Sequence, residues 1–217
     1  MADENQHAPD HSLRTRVLED VKERIISGEL PAGARLHERN LSQELGVSRV
    51  PLREAILTLE SQGLIEIRPR IGAFVKPLTR KYVEDLFSVR KALEPLAASL
   101  AAKNRTEAEL EQLEWNFHEE RRALEADDNK AGSLANAEFH LVILGASGNE
   151  LLYSIIAPLQ SQTQRLFRRT IVNISELLYH DHEDMLDAIR YQDADRAAQL
   201  ALDHVEGTRE HSISLFD

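Results

Sequence analysis

The sequence predicts a mainly α-helical chain in two parts, an N-terminal winged helix-turn-helix and a C-terminal all-helical antiparallel bundle. Three observations carry this. Apolar residues recur at helical spacing along most of the chain; Leu52, Ala55, Ile56 and Leu59, for example, fall at i, i+3, i+4 and i+7. Strand-like alternation is confined to two short neighbouring stretches, 64–68 and 73–76, and good strand patterns are lacking from Thr79 onward. Charge is divided unevenly. Residues 12–77 hold 11 Lys+Arg against 9 Asp+Glu, and residues 78–217 hold 15 against 25, within a net charge of −11. A mildly basic third followed by a strongly acidic remainder implies two domains with different partners. The expected boundaries are a tail at 1–11, the winged domain at 12–77 and the helical domain at 78–217.

Composition excludes several classes. There is no cysteine, so disulfides and thiolate metal sites are excluded. No run of about 18 apolar residues exists to span a membrane. The polar first 11 residues lack the apolar core of a signal peptide, so they are expected to form a disordered tail on a cytoplasmic protein.

In chain order, the first helix is expected over 13–27. Leu13, Val17, Leu18, Val21, Ile25 and Ile26 form its stripe, and Gly28 suits a left-handed C′ position. Pro31 and Gly33 mark a turn. A short helix at 38–45 turns Leu41 and Leu45 inward and closes at Gly46. Ser48 is suited to cap the next helix by accepting a first-turn N–H, and Pro51 falls in that first turn, where a missing N–H costs little. Arg49 and Arg53, four apart, share an outward side near its N-terminus. A capped N-terminus presented with arginines suits phosphates and base edges. Two helices joined by a short Gly-containing turn are a helix-turn-helix. Gly63 ends the second, and the hairpin after it reads as a wing. Arg68 and Arg70 place positive charge along that wing, and Gly72 permits close backbone approach. The plainer alternatives are a surface helix with two ordinary arginines and a flap covering the core.

Beyond Thr79, helices are expected at 79–103, 106–125, 130–146, 149–171, 175–191 and 194–214. The first carries a stripe of Leu86, Val89, Leu93, Leu96 and Leu100, with Pro95 expected to kink or divide it. Thr106 and Glu109 form a capping box for the second, and Asp193 suits the last N-cap. Six such helices make a bundle whose interior can hold a site. His140, with Asn136 one turn before it, His182 and His204 lie on three different helices. Ligands from facing helices can converge on one metal, three imidazole nitrogens joined by an amide oxygen. Satisfied or exposed histidines are the alternative. Arg90 flanks the inward stripe, where a guanidinium can grip a carboxylate bidentately or pair with Glu94 at i+4. Arg165 and Arg169 are further cationic candidates beside the same interior. His118, His180 and His211 read as surface residues.

Particular motifs sharpen this reading. Gly28-Glu29-Leu30-Pro31-Ala32-Gly33-Ala34-Arg35-Leu36, Leu45-Gly46-Val47-Ser48-Arg49-Val50-Pro51-Leu52-Arg53-Glu54-Ala55, Gly63-Leu64-Ile65 and Gly72-Ala73-Phe74-Val75 resemble, in order and spacing, the DNA-binding domain of the GntR family of bacterial transcriptional regulators. The resemblance implies operator contacts from Arg39, Ser48, Arg49, Val50, Pro51, Arg53 and Gly72; Arg39 comes mainly from it. Val89-Arg90-Lys91-Ala92-Leu93-Glu94-Pro95-Leu96-Ala97, Phe139-His140, Ala146-Ser147-Gly148-Asn149-Glu150-Leu151-Leu152, the stretch from His182 to Ile189, and Asp193 to His204 resemble the FCD effector domain of that family's FadR-like branch. Many members of that branch hold a metal with an Asp and three His, and the matching positions here are His140, His182 and His204. The Asp position is Asn136, a departure that removes one negative charge. The position matching Arg90 lies in the effector pocket.

The expected function is a homodimeric, metabolite-responsive transcriptional regulator. Its winged helix reads double-stranded operator DNA, and its helical domain dimerises and senses a small carboxylate. A divalent transition metal, with Zn²⁺ or Ni²⁺ favoured over harder cations, would anchor that carboxylate. Two rivals differ in class. A DNA-binding protein without an effector would show no ligand-dependent release. A metal-dependent hydrolase fused to a nucleic-acid module would need a placed general base, such as a His-Glu-x-x-His helix, and the sequence has none.

Overall fold

The structure, a computed structural model, describes residues 9–216, and their side chains over 13–170 and 179–216. The chain divides into two compact units, Met1–Pro77 and Leu78–Asp217.

In the first unit, α1 (Pro9–Ser27), α2 (Glu38–Glu44) and α3 (Arg49–Ser61) pack on a three-stranded antiparallel sheet of β1 (Arg35–Leu36), β2 (Ile65–Arg68) and β3 (Gly72–Val75), in the order β1-β3-β2. Of the predicted tail, residues 1–8 lie outside the described residues, and α1 starts at Pro9 rather than Leu13. A proline's preset φ suits a first helical position. The core is Val17, Val21 and Ile25 from α1, Leu52, Ile56 and Leu59 from α3, and Leu64 and Val75 from the hairpin. The predicted stripe of α3 is therefore the buried one. β1 has no sequence signature because two residues carry no period; Arg35 faces Phe74 and Leu36 faces Ala73 across the ladder.

The expected Ser48 cap bond is absent, although Ser48 occupies the N-cap in extended conformation. Pro51 stands at the third helical position and has no N–H to donate, which removes one of the two usual donors.

The second unit contains α4 (Arg80–Asn104), α5 (Glu107–Glu125), α6 (Asn129–Ala146), α7 (Glu150–Arg190) and α8 (Ala194–Ile213), closed by a 3₁₀ turn at Ser214–Phe216. Five α-helices replace the six expected, among the described residues. The two predicted at 149–171 and 175–191 are one helix of 41 residues. The three residues between them, Val172-Asn173-Ile174, include neither Gly nor Pro, so nothing in them stops a helix. Pro95 does not divide α4 either.

The inward face of α4 differs from the predicted stripe. Val89 and Leu96 are 38% and 46% exposed, whereas Leu86, Phe87, Arg90, Glu94, Ala97, Ala98, Ala101 and Ala102 are buried. Alanines let α4 lie close along α8, which brings Ala197 and Ala201 to the same core. Size, rather than hydropathy alone, chose the face.

The capping box at α5 is present. Thr106 Oγ1 accepts from the Glu109 N–H at 3.2 Å, and Glu109 Oε2 accepts from the Thr106 N–H at 2.8 Å. Replacing Thr106 by Ala should cost about 1 kcal/mol, read as a lower urea midpoint with unchanged slope. Thr106→Ser should retain most of the stability. Equal midpoints for wild type and Thr106→Ala would contradict the cap's contribution.

Candidate functional site

Two places in the molecule collect chemistry-bearing side chains. On the first unit, Arg39, Ser48, Arg49, Val50 and Arg53 are all exposed, with Val50 at 63%. Arg49 has no hydrogen-bond or ion-pair partner among the described residues. Arg53 is engaged, its Nε donating to Glu38 Oε2 at 2.9 Å across α2 and α3. Pro51 is buried, so its part in any contact is to shape the turn rather than to touch. At the wing, Arg68 pairs with Glu66 and lies 4.6 Å over the Phe74 ring. Gly72 has φ +134°, and a Cβ there would meet Arg35 Nε at 3.2 Å. The backbone conformation therefore favours glycine, and a Cβ would also oblige the exposed Arg35 side chain to shift by a few tenths of an ångström. Arg70, at the wing tip, has φ +65°.

The second place is inside the helical unit. Asn136 and His140, four apart on α6, His182 on α7 and His204 on α8 are 3%, 5%, 0% and 3% exposed. One ligand nitrogen from each histidine lies within 4.8 Å of the others. A central ion bonded at about 2.0–2.1 Å needs only a small closing movement of these rings. Asn136 Nδ2 stands 3.5 Å from His182 Nε2, which puts the amide at the same point. Phe139, fully buried, stacks on the His182 ring at 4.5 Å.

Carboxylates behind the rings decide which edges face inward. His182 Nδ1 is 2.6 Å from Glu120 Oε2, and His204 Nδ1 is 3.3 Å from Asp181 Oδ2. An acidic oxygen on Nδ1 draws the ring proton there and leaves Nε2 with its lone pair. Burial holds His140 well below the ordinary imidazole pKa, with His182, His204 and Arg90 adding repulsion. Burial likewise lowers His204, against the pull of Asp181. Neutral imidazoles sharing one point are metal-ligand chemistry.

Beside them is a cavity lined by Arg90, His140, His204, Asn136, the aromatic rings of Phe87 and Phe167, and hydroxyls from Thr163, Thr170, Thr208 and Ser212. The cavity volume open to a water is about 20 Å³, room for an ion or one water, so a larger ligand requires side chains to move. Arg90 is both things the sequence allowed. Its Nε and Nη2 donate to Glu94 at 2.6 and 3.2 Å, yet the guanidinium also borders the cavity, 4.9 Å above Phe87.

Arg165 is buried on α7 but does not line this cavity. Thr163, Leu166, Phe167 and Thr170 do, and position 165 falls on another side of the helix. Arg169 is exposed, as are His118, His180 and His211.

Sequence reasoning missed Glu120, Asp181 and the hydroxyl wall. Glu120 had a signal: it follows Leu113 and Phe117 at i+7 and i+3, so a carboxylate sits in the buried stripe of α5.

Known proteins resemble both units. Residues 13–75 match the family model described as bacterial regulatory proteins, gntR family, and residues 85–207 match that of the FCD domain. The HTH-type transcriptional repressor RspR of Escherichia coli (strain K12) is 27% identical over 208 residues, covering 95% of this chain and 91% of that protein. The HTH-type transcriptional regulator LutR of Bacillus subtilis (strain 168) is 31% identical over 216 residues, 89% of this chain and 98% of LutR. Among solved structures, E. coli McbR/YncC superposes with a TM-score of 0.78 at 23% identity, covering 94% of this chain and 99% of that one.

The buried histidines make stability depend on pH. Unfolded, His140 and His204 titrate near 6.5; folded, both are held lower. Above that value neither state takes up the protons. Below it the unfolded chain binds protons that the fold refuses, so stability falls as pH falls. The slope that one such histidine adds cannot exceed about 1.4 kcal/mol per pH unit. Metal-free protein should melt at steadily lower temperature as pH drops from about 6.5 to 5. A melting temperature constant across that window would contradict neutral burial.

Proposed function

The chain belongs to the FCD-domain branch of the gntR family of bacterial regulatory proteins, and we propose that its operator binding is controlled by a small carboxylate anchored at a metal in the helical unit. As a member it is a transcriptional regulator and not an enzyme. No helix among the described residues is long and apolar enough to cross a membrane, and the proposed place of action is the cytoplasm, where operator DNA is found.

The observation that carries the proposal is the set of three buried imidazoles within 4.8 Å, adjoining a cavity bordered by Arg90. His140, His182 and His204 supply nitrogens, and Asn136 supplies a neutral oxygen. A divalent metal there would act as an electrostatic anchor for an anionic group. Three imidazoles suit Zn²⁺ or Ni²⁺ better than hard cations. Arg90 keeps one edge on Glu94 and offers the other to the ligand's far carboxylate.

On the first unit, Arg49 and Val50 lead the α3 N-terminus into the DNA, with Ser48 and the first-turn N–H groups facing phosphate. Arg39 and the Gly72 wing flank it. Arg53 exchanges Glu38 for DNA, a switch between two acidic partners that keeps it oriented in the free protein. A homodimer would set two such helices on a palindrome. Support for its interface comes from the outer face of α4, where Val89, Ala92 and Leu96 are exposed without a charged residue between them on that side.

Arg49→Ala should weaken operator binding strongly, by about 1–3 kcal/mol of discrimination if it pairs with a guanine. A phosphate contact would instead weaken all sequences alike and lower the salt slope by about one. Gel-shift or anisotropy titrations separate these outcomes. Unchanged binding by both Arg49→Ala and Arg53→Ala in folded protein would remove α3 as the recognition helix.

Metal analysis of untagged protein tests the second unit. One equivalent of metal is expected, lost in His182→Ala and retained in Arg90→Ala. A thermal-shift screen against organic acids should find ligands that stabilise wild type but not Arg90→Ala. Asn136→Asp should tighten metal and loosen the anion. If no metal is present, none can be added back and His140→Ala still answers the effector, the histidines only line the pocket.

A further inference from the structure

We propose that Glu120 is the positioning carboxylate of the metal site and carries, one hydrogen bond further out, the negative charge that Asn136 does not supply. The inference rests on the reading that the three imidazoles hold a divalent cation.

Glu120 is 6% exposed, and both its oxygens point at site residues. Oε2 is 2.6 Å from His182 Nδ1, and Oε1 accepts from Asn136 Nδ2 at 3.4 Å. No lysine or arginine pairs with it among the described residues. The one buried arginine bordering the cavity, Arg90, is already neutralised by Glu94. A buried carboxylate with only an imidazole and an amide for company is expensive. A dication on the opposite edge of the His182 ring gives that charge its counterpart, through the ring.

The same bond has a geometric effect. With its proton held at Nδ1, His182 can ligate only through Nε2, the nitrogen that faces Asn136. Phe139 stacks on the ring and prevents it from turning away. Asn136 is held too: its Nδ2 donates to Glu120 Oε1 and lies 3.5 Å from His182 Nε2, so the NH₂ faces the ligating nitrogen in the metal-free arrangement and the amide must turn over to present Oδ1 to a cation. Glu120 thus sets the ligating atom of one residue and orients a second. The cost of moving the charge outward is a weaker direct hold on the metal. The gain is a first shell composed only of neutral ligands, which leaves more of the cation's field for an incoming anion.

The test measures Zn²⁺ affinity of the full-length protein by competition with a chromophoric chelator, without effector. Glu120→Gln keeps the volume and removes the charge, and should weaken Zn²⁺ about 10–100-fold. Adding Asn136→Asp to that variant should recover most of the loss, because the charge returns at the first shell. If Glu120→Gln binds Zn²⁺ like wild type, or if Asn136→Asp tightens binding equally in both backgrounds, Glu120 does not supply the missing charge. Should Glu120→Gln not fold, imidazole nitrogen NMR of Zn²⁺-loaded wild type decides. His182 ligated through Nε2 with a strongly deshielded Nδ1 proton supports the proposal, and ligation through Nδ1 overturns it. A wild type that takes up no Zn²⁺ under any condition removes the metal reading itself, a result distinct from Zn²⁺ binding that ignores residue 120.

Discussion

The helical unit depends on one constraint: polar and ionisable side chains taken into a bundle interior must be paired or held uncharged. Arg90, Glu94, Glu120, Asn136, His140, His182 and His204 are all buried. Left unpaired, any charged member would cost several kcal/mol, and even a neutral polar group costs about 1–3. The structure pairs all of them except His140, which makes no hydrogen bond among the described residues and is kept uncharged by burial. Glu94 takes the fork of Arg90, Glu120 takes His182 and Asn136, and half-buried Asp181 takes His204. Because each carboxylate occupies a known edge, the remaining edges are known as well, and they converge. Satisfaction of the buried polar groups and preorganisation of the site are the same arrangement seen from two sides.

That arrangement needs helices close enough for short side chains to meet. Ala97, Ala98, Ala101 and Ala102 of α4 against Ala197 and Ala201 of α8 supply the closeness. Interaxial distance follows the bulk at the contact. Larger residues on this seam would lift α8 and carry His204 away from His140. The apolar residues displaced to the outside, Val89 and Leu96, are the counterpart of that choice.

Much of this was legible beforehand, and what was not has physical reasons. The helix-turn-helix, the hairpin, the capping box of α5 and the inward stripe of α3 follow from local periodicity and turn chemistry, which sequence carries directly. The three histidines could be singled out on three helices of a bundle, but it was the resemblance that favoured them as a set, since ligands on separate helices have no fixed spacing. β1 was invisible because a two-residue strand exists only through its pairing with β3. The face of α4 was misjudged because hydropathy ranks Leu96 above Ala97, whereas packing ranked them by size. The split expected in α7 fell at Val172-Asn173-Ile174, where the sequence has neither Gly nor Pro to end a helix. Glu120 and Asp181 escaped because their roles are defined by ring edges, which no sequence pattern encodes.

The continuity of α7 has a mechanical consequence. At 1.5 Å per residue, its 41 residues make a rod of about 60 Å. His182 lies near one end, the cavity hydroxyls of Thr163 and Thr170 lie toward the middle, and the rod runs on to Glu150. The stretch from His182 to Glu150 is about 48 Å long. A pivot of about 3° at the histidine therefore swings the far end by about 2.5 Å, an ångström-scale displacement from a rotation too small to disturb the packing around the fulcrum. Pro158 removes one backbone hydrogen bond along this arm, so it is where the beam yields first. Two separate helices joined by a loop would dissipate such a rotation at the joint, whereas one unbroken helix delivers it.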